Sequence, residues 1–310
     1  MNKNEVGIQM IGLTKKYGDR MAVNGINLSI KAGELFSLLG LNGAGKTTTI
    51  NMLCCLLKPT AGTATIMGHD IKKNPLAVKG IISVSPQETA IAVHLNTWEN
   101  LLLMGGVYGL SKEETKKRAK ELIELMGLTG RTKEQVRKFS GGMKRKLSIA
   151  MALISDPQIL FLDEPTLGLD PQARKAVWKK IKELKGKKTI LFTTNYLEEA
   201  NSFADRIAII DDGNIIAMGT PGELKNNICG MQTMVIKAQN LSTAVIEGLK
   251  RMYPDVREIE DGVKIKAKEL NFDEIVDFIR SKGTKIKSVS MEEPSLDDVF
   301  LKLTGVEVNK

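Results

Sequence analysis

Residues 40–47 read Gly-Leu-Asn-Gly-Ala-Gly-Lys-Thr, the pattern G-x-x-x-x-G-K-[ST]. Few octapeptides restrict the folding options of a chain more. An apolar run, Leu35–Leu39, precedes the loop, and a helical pattern from Lys46 to Leu57 follows it. A phosphate cradle requires that strand–loop–helix context. Glycines let backbone N–H groups converge on phosphate oxygens, and a helix N-terminus adds partial positive charge. In such a loop Lys46 bridges β- and γ-phosphates, and the Thr47 hydroxyl binds Mg²⁺. An ordinary glycine-rich turn is the rival reading, and each further motif weakens it.

The strand pattern begins near residue 5. Ile8, Met10 and Ile11 lead to a turn at Tyr17-Gly18-Asp19, and Ile26–Ile30 reads as the next strand. Pro59, Gly62 and Gly68 punctuate a return to strand. Residues 97–154 carry a helical pattern, with Thr97 as the predicted N-cap and Leu122, Ile123 and Leu125 at helical spacing. Gln158–Leu162 is predicted as an apolar strand, and Thr189–Thr193 as another after a helix that Pro171 opens. Ile207–Ile210 and Ile215–Met218 read as a hairpin turning at Asp212-Gly213. Composition changes near Pro221. From there the pattern is strand 231–238, helix 241–252, hairpin 255–267 turning at Asp261-Gly262, helix 271–282 and strand 284–290. That order is a split βαβ, ferredoxin-like one, with a last helix starting near Ser295. The predicted domains are 1–222 and 223–310, and no 20–50-residue repeat interrupts them.

The bulk properties narrow the classes. No run of about 18 apolar residues is present, so no membrane-spanning segment is expected. The opening MNKNEVGIQM has no apolar stretch behind its charges, which argues against a secretory signal. Three cysteines, with Cys54 and Cys55 adjacent, make no disulfide framework and suit a reducing compartment. No Cys/His cluster has zinc-site spacing. The net charge of +9 is scattered along lysine-rich helical patterns such as residues 116–120 and 177–188. With aromatics at 5%, a base-stacking platform for nucleic acid is not expected.

Two more motifs follow the loop. Ile159–Leu162 delivers Asp163 and Glu164 to a strand end, the edge where ligands sit in α/β sheets. Asp163 could hold Mg²⁺ through its water shell, and Glu164 could polarise an attacking water as general base. Alone, such a pair also serves as a helix cap. Upstream stands Phe139-Ser140-Gly141-Gly142-Met143, and here the chain resembles the ABC ATPase family, whose signature usually reads LSGGQ. The order also matches: phosphate loop, Gln87 after Ser85-Pro86, signature, acid pair, then Gly168-Leu169-Asp170. The resemblance covers about residues 5–222. It implies an α/β P-loop ATPase domain with a mixed-sheet core, an antiparallel β subdomain and a helical subdomain at about 89–155.

By this resemblance ATP and Mg²⁺ are the ligands. Tyr17 would stack on adenine. Gly40, Asn42, Gly43, Ala44, Gly45, Lys46, Thr47 and Thr48 would cradle the phosphates. Thr47, Gln87 and Asp163 would serve the metal, with Gln87 also touching the attacking water. Ser140, Gly141 and Gly142 would cap ATP held by an opposite subunit, and Asp170 would sit at the seam of that head-to-tail dimer. The dimer would join identical or different nucleotide-binding subunits, at the cytoplasmic face of a membrane and under integral-membrane permease subunits. A short helix of the permease would dock near Gln87 and residues 88–105, with Thr97–Leu101 as one wall.

Two positions depart from the family pattern. Met143 replaces the usual glutamine, a mild change because Ser140 and the backbone do the phosphate work. Asn195, in Thr194-Asn195-Tyr196-Leu197-Glu198-Glu199, stands where the family's switch loop carries histidine. Its amide can donate to a phosphate but does not titrate near pH 7. Asn195 is a natural variant with Glu164 doing the chemistry, a brake that makes ATP mostly a clamp, or an engineered substitution, and these stay open. Residues 292–305, Glu292-Glu293-Pro294-Ser295-Leu296-Asp297-Asp298 and on to Gly305, resemble the tail of the daunorubicin-resistance, antibiotic-exporter branch. In that tail Val299, Phe300 and Leu303 would dock the last helix. DNA-repair ATPases of this superfamily carry a long coiled coil that is absent here. Translation-type members carry two cassettes.

Overall fold

The computed structural model describes residues 5–305 apart from Met231, Asn240 and Glu293, and it divides at Thr220–Pro221 into two units. The first four residues, and Glu293 of the tail motif, lie outside the described residues.

The first unit opens with two long strands, β1 (Val6–Tyr17) and β2 (Arg20–Lys31), joined by the Gly18 turn. Then come β3 (Leu35–Leu39), the phosphate-type loop and α1 (Lys46–Leu53). The helix stops short of Leu57 because Cys55 takes a left-handed φ of 55°. Further on are β4 (Ala61–Ile66), β5 (His69–Asp70), α2 (Pro75–Ile81) and β6 (Ile82–Ser85).

Three helices follow: α3 (Thr97–Val107), α4 (Lys112–Met126) and α5 (Gly141–Leu153). The N-cap of α3 is Asn96 and not Thr97. Asn96 Oδ1 accepts from Glu99 N at 3.0 Å, and Glu99 Oε2 accepts from Asn96 N at 2.7 Å. This reciprocal box needs an acid three residues after the cap, and only Asn96 has one. Thr97, displaced to the first helical position, is fully buried. The unit closes with β7 (Ile159–Asp163), α6 (Pro171–Lys182), β8 (Thr189–Thr194), α7 (Leu197–Phe203), β9 (Arg206–Asp211) and β10 (Asn214–Gly219).

β2-β1-β4-β5 form an antiparallel sheet, and β10-β9-β3-β8-β7-β6 form a mixed one. In the mixed sheet all neighbours are parallel except the β9–β10 hairpin. Every residue of β3, β7 and β8 is buried. Such continuous apolar runs are the mark of strands covered on both faces. Alternation then assigns each face a core. Phe36, Leu38, Ile159 and Phe161 join the antiparallel sheet and α1. Leu35, Leu160, Leu162 and Phe192 join α4, α5 and α6, where Trp178 stacks on Phe203 at 4.4 Å. Among the described residues no helix is long and apolar enough to cross a membrane.

The second unit runs α8 (Pro221–Leu224), β11 (Gln232–Gln239), α9 (Thr243–Met252), β12 (Asp255–Ile259), β13 (Gly262–Ala267), α10 (Phe272–Ser281), β14 (Lys285–Glu292) and α11 (Leu296–Thr304). Its sheet, β12-β13-β11-β14, is antiparallel throughout and has the ferredoxin-like order. Val245, Leu249, Ile275 and Ile279 of the two helices pack on Met234, Ile236, Val263 and Ile265. The hairpin turns one residue earlier than the sequence suggests. Gly262 already pairs with Ile259 and Lys237, an approach that only glycine allows, since a Cβ there would overlap the Ile236 carbonyl. Ser295 caps α11 through a box with Asp298, and Leu296, Val299 and Phe300 are buried, with Leu303 half-buried.

Candidate functional site

The glycine loop is wedged between the two sheets. A Cβ on Gly40 would overlap the Ile210 carbonyl oxygen of β9, and one on Gly45 would overlap the Ala22 carbonyl oxygen of β2. Gly43 and Gly45 hold φ of 86° and 105°, which L side chains rarely adopt. Backbone hydrogen bonds fix the rest: Gly40 N–H to Thr194 O at 3.2 Å, and Gly213 N–H to Ala44 O at 3.1 Å. Gly45 caps α1, so the positive end of the helix faces the loop.

Lys46 is the first residue of α1 and only 4% exposed. Its Nζ donates to Gly40 O (2.9 Å) and Leu41 O (3.0 Å) and lies 3.2 Å from Glu164 Oε1. Glu164 leaves β7 with φ of 46°, strain of about 1–3 kcal/mol for a residue with a Cβ. Hydrogen bonds hold it there. Thr193 Oγ1 accepts from Glu164 N at 2.9 Å and donates to Asp163 Oδ1 at 2.6 Å. The guanidinium of Arg145 donates to Glu164 O at 3.3 Å.

Above this pair opens a cleft of about 620 Å³, within the range of small-molecule sites. Tyr17, Asn42, Gly43, Gly45, Lys46, Thr47, Thr48, Gln87 and Glu164 line it, all expected from the sequence. Ala44 is buried behind the loop, and Asp163 lies beneath Glu164 with its carboxylate on Thr193. Glu164 Oε2 is buried without a hydrogen-bond partner. The Thr47 hydroxyl and the Gln87 amide on the cleft, with the Asp163 carboxylate beneath, are oxygen donors that suit a hard cation such as Mg²⁺, and the unpartnered Glu164 oxygen is left for a water. Lys46 and the helix end suit the phosphates it accompanies.

The remaining expected residues gather elsewhere. Ser140, Gly142, Met143, Lys146, Asp170 and Ala173 line a separate hollow of about 210 Å³. Ser140 Oγ caps α5 by accepting from Met143 N at 3.3 Å, and Asp170 Oδ1 caps α6 by accepting from Ala173 N at 2.9 Å. Gly142 permits the contact, since a Cβ there would come within 2.9 Å of Ala173 Cβ. Two helix N-termini therefore share a hollow distinct from the Lys46 cleft. Asn195 lines neither; it follows β8, and its buried Oδ1 has no hydrogen-bond partner.

Sequence reasoning missed four positions. Arg20 lines the cleft beside Gly43. Arg145 hides in a basic run, yet it stands three residues from both Gly142 and Ser148, on the inward face of α5. Glu199, 2% exposed, accepts from Thr166 Oγ1 and from Thr194 Oγ1 (2.9 Å). It pairs at 3.7 Å with Arg174, which stacks on Tyr196 at 4.0 Å. This network ties the segment before Asp170 to the segment carrying Asn195. Glu199→Ala should strand two hydroxyls and a cation and cost about 3 kcal/mol or more. Urea unfolding reads that loss, and an unchanged midpoint would show the network to be idle.

Comparison with known proteins places this geometry. Residues 23–167 match the family described as ABC transporter. Residues 219–304 match the family described as ATP-binding protein DrrA1-3-like, C-terminal domain. The chain is 37% identical to the linearmycin resistance ATP-binding protein LnrL of Bacillus subtilis, over 96% of this chain and 98% of that protein. It is 39% identical to the daunorubicin/doxorubicin resistance ATP-binding protein DrrA of Streptomyces peucetius, over 96% and 92%. A dimeric, post-hydrolysis structure of the ATP-binding cassette MJ0796 with ADP and Pi superposes with a TM-score of 0.62 at 29% identity. That match covers 69% of this chain and 98% of the cassette.

Proposed function

The chain belongs to the ABC transporter family of ATP-binding proteins, and from that premise we propose that it hydrolyses Mg-ATP to drive an exporter whose membrane-spanning subunits are other chains. The observation that carries this reading is the Lys46–Glu164 pair, 3.2 Å apart at the base of a cleft ringed by Tyr17, Thr47 and Gln87.

Each residue then has work to do. The loop amides and Lys46 bind and orient the phosphates, and Tyr17, half-exposed at the rim, offers its ring to the base. Thr47, Gln87 and Asp163 would hold Mg²⁺, which when bound neutralises charge on the phosphates. Glu164 takes the proton of the attacking water and is aimed by its two backbone bonds. The Ser140–Asp170 hollow lies outside that cleft, which supports a head-to-tail dimer in which it faces the partner's nucleotide. ATP would favour the closed dimer by binding it better than the open one. Relatives named for antibiotic resistance support export as the direction. Thr97, Asn100 and Leu101 of the expected wall are fully buried and cannot receive a partner. The exposed apolar side chains of α3 are Leu103 (52% exposed) and Val107 (70% exposed), one turn apart, and they support a docking surface for the membrane subunit further along the helix. Trp98 is half-buried against the helical core, with a packing role first.

The test is steady-state ATPase activity of the purified chain with and without Mg²⁺. Turnover only with the metal is expected; no ATP affinity under either condition would sink the reading. Asn195 should slow turnover without stopping it, since Lys46, Asp163 and Glu164 are intact. Asn195→His is therefore expected to raise kcat by about tenfold, or about 1.4 kcal/mol, the worth of one hydrogen bond. An unchanged rate removes the idea of a brake.

A further inference from the structure

One buried cation joins two loops that strand pairing leaves separate. Arg145 is 4% exposed. Its Nη1 donates to Pro86 O at 2.7 Å, and its Nη2 donates to Gln87 O at 2.7 Å and Glu164 O at 3.3 Å. The Gln87 loop leaves β6 and Glu164 leaves β7, parallel neighbours paired as far as Ser85 and Leu162. Beyond that point no ladder bond holds the two exits together.

Three features make the guanidinium the clamp. A planar fork of five N–H groups reaches three carbonyls at once, a spread that an ammonium cannot cover. Among the described residues no carboxylate forms an ion pair with Arg145, so its hydrogen bonding is spent on backbone. The helix beneath is pinned as well, since Ser148 Oγ lies 2.9 Å from Ser85 Oγ, both buried. Glu164, at its left-handed φ, needs this support; among the described residues its carbonyl is otherwise held by Leu167 N–H at 3.2 Å.

We propose that Arg145 is a positioning residue for hydrolysis, holding the Gln87 loop and the peptide that carries Glu164 in one register. The inference rests on the reading of Glu164 as the base in ATP hydrolysis. It also makes Arg145 a bonded link from the Gln87 loop to the peptide that carries Glu164. A displacement of the Gln87 loop is felt at Glu164 without passing through nucleotide.

The experiment compares Arg145→Gln and Arg145→Lys with the parent chain, measuring kcat and KM for Mg-ATP, binding of a fluorescent ATP analogue, and Tm. Misplacing a catalytic group by about 1 Å can cost about 10²-fold. Both variants should therefore lose about 10²-fold in kcat, with KM and analogue affinity within about threefold of the parent. Lysine should not rescue, because it restores charge but not the fork. Parent-like kcat in Arg145→Lys overturns the clamp, since a role in charge or packing would be rescued that way. Loss of analogue binding in both variants also overturns it, making Arg145 a prop of the fold. An active parent with an equally active Arg145→Gln sinks the clamp alone, whereas a parent without ATPase activity sinks the functional reading and the clamp with it.

Discussion

Glu164→Gln should bind Mg-ATP as tightly as the parent and hydrolyse it about 10²–10⁴-fold more slowly, the span that general-base groups contribute. The substitution keeps shape and hydrogen-bonding capacity. The amide oxygen can still face Lys46, whose Nζ retains its bonds to Gly40 O and Leu41 O. The two backbone bonds that aim residue 164 do not involve its side chain. What goes is the capacity to accept a proton, together with the negative charge beside Lys46. Single-turnover hydrolysis beside equilibrium binding separates the two effects. Parent-like turnover would move the base elsewhere, and a lost affinity would make Glu164 a binding group.

Lys46→Ala is expected to do the reverse, removing affinity before chemistry. Two charge-assisted hydrogen bonds to phosphate, at about 1.5–3 kcal/mol each, correspond to a loss of about 10²–10⁴-fold in ATP affinity. A second effect follows from the pair's burial, 4% and 6% exposed. Without Lys46, the Glu164 carboxylate is an uncompensated charge, and breaking a buried pair from one side costs about 3–5 kcal/mol of stability. Adding Glu164→Gln to Lys46→Ala should therefore recover much of the lost Tm and none of the lost affinity. Equal Tm values for the single and double variants would mean that the two groups do not interact in the folded chain.

The parts legible in the sequence are those whose physics is local. Gly40–Thr47 announces itself because the cradle needs glycine at fixed places, and β7 because burial on both faces demands an unbroken apolar run. The ferredoxin-like order of the second unit follows from period-2 and period-3.6 stretches between clear turns. What escaped depends on partners distant in the chain. Arg145 reads as one more solvated lysine-like charge until Pro86, Gln87 and Glu164 are seen around it, up to 59 residues away. Glu199 looks like a surface acid of a short helix until Thr166 and Arg174 close over it. Thr97 failed as a cap for a different reason. Both Asn96 and Thr97 are good caps alone, and a side chain at the third helical position decides between them.

The wedging of Gly40 and Gly45 against the carbonyls of Ile210 and Ala22 has a dynamic consequence. The segment that would receive the polyphosphate is ordered in advance by the sheets on either side, so little entropy is left to lose there when ligand arrives. By the same confinement it has almost no travel. Work extracted from nucleotide would then appear as motion of something less constrained, and the helices between Thr97 and Leu153, linked through residues 108–111 and 127–140, are where it is expected.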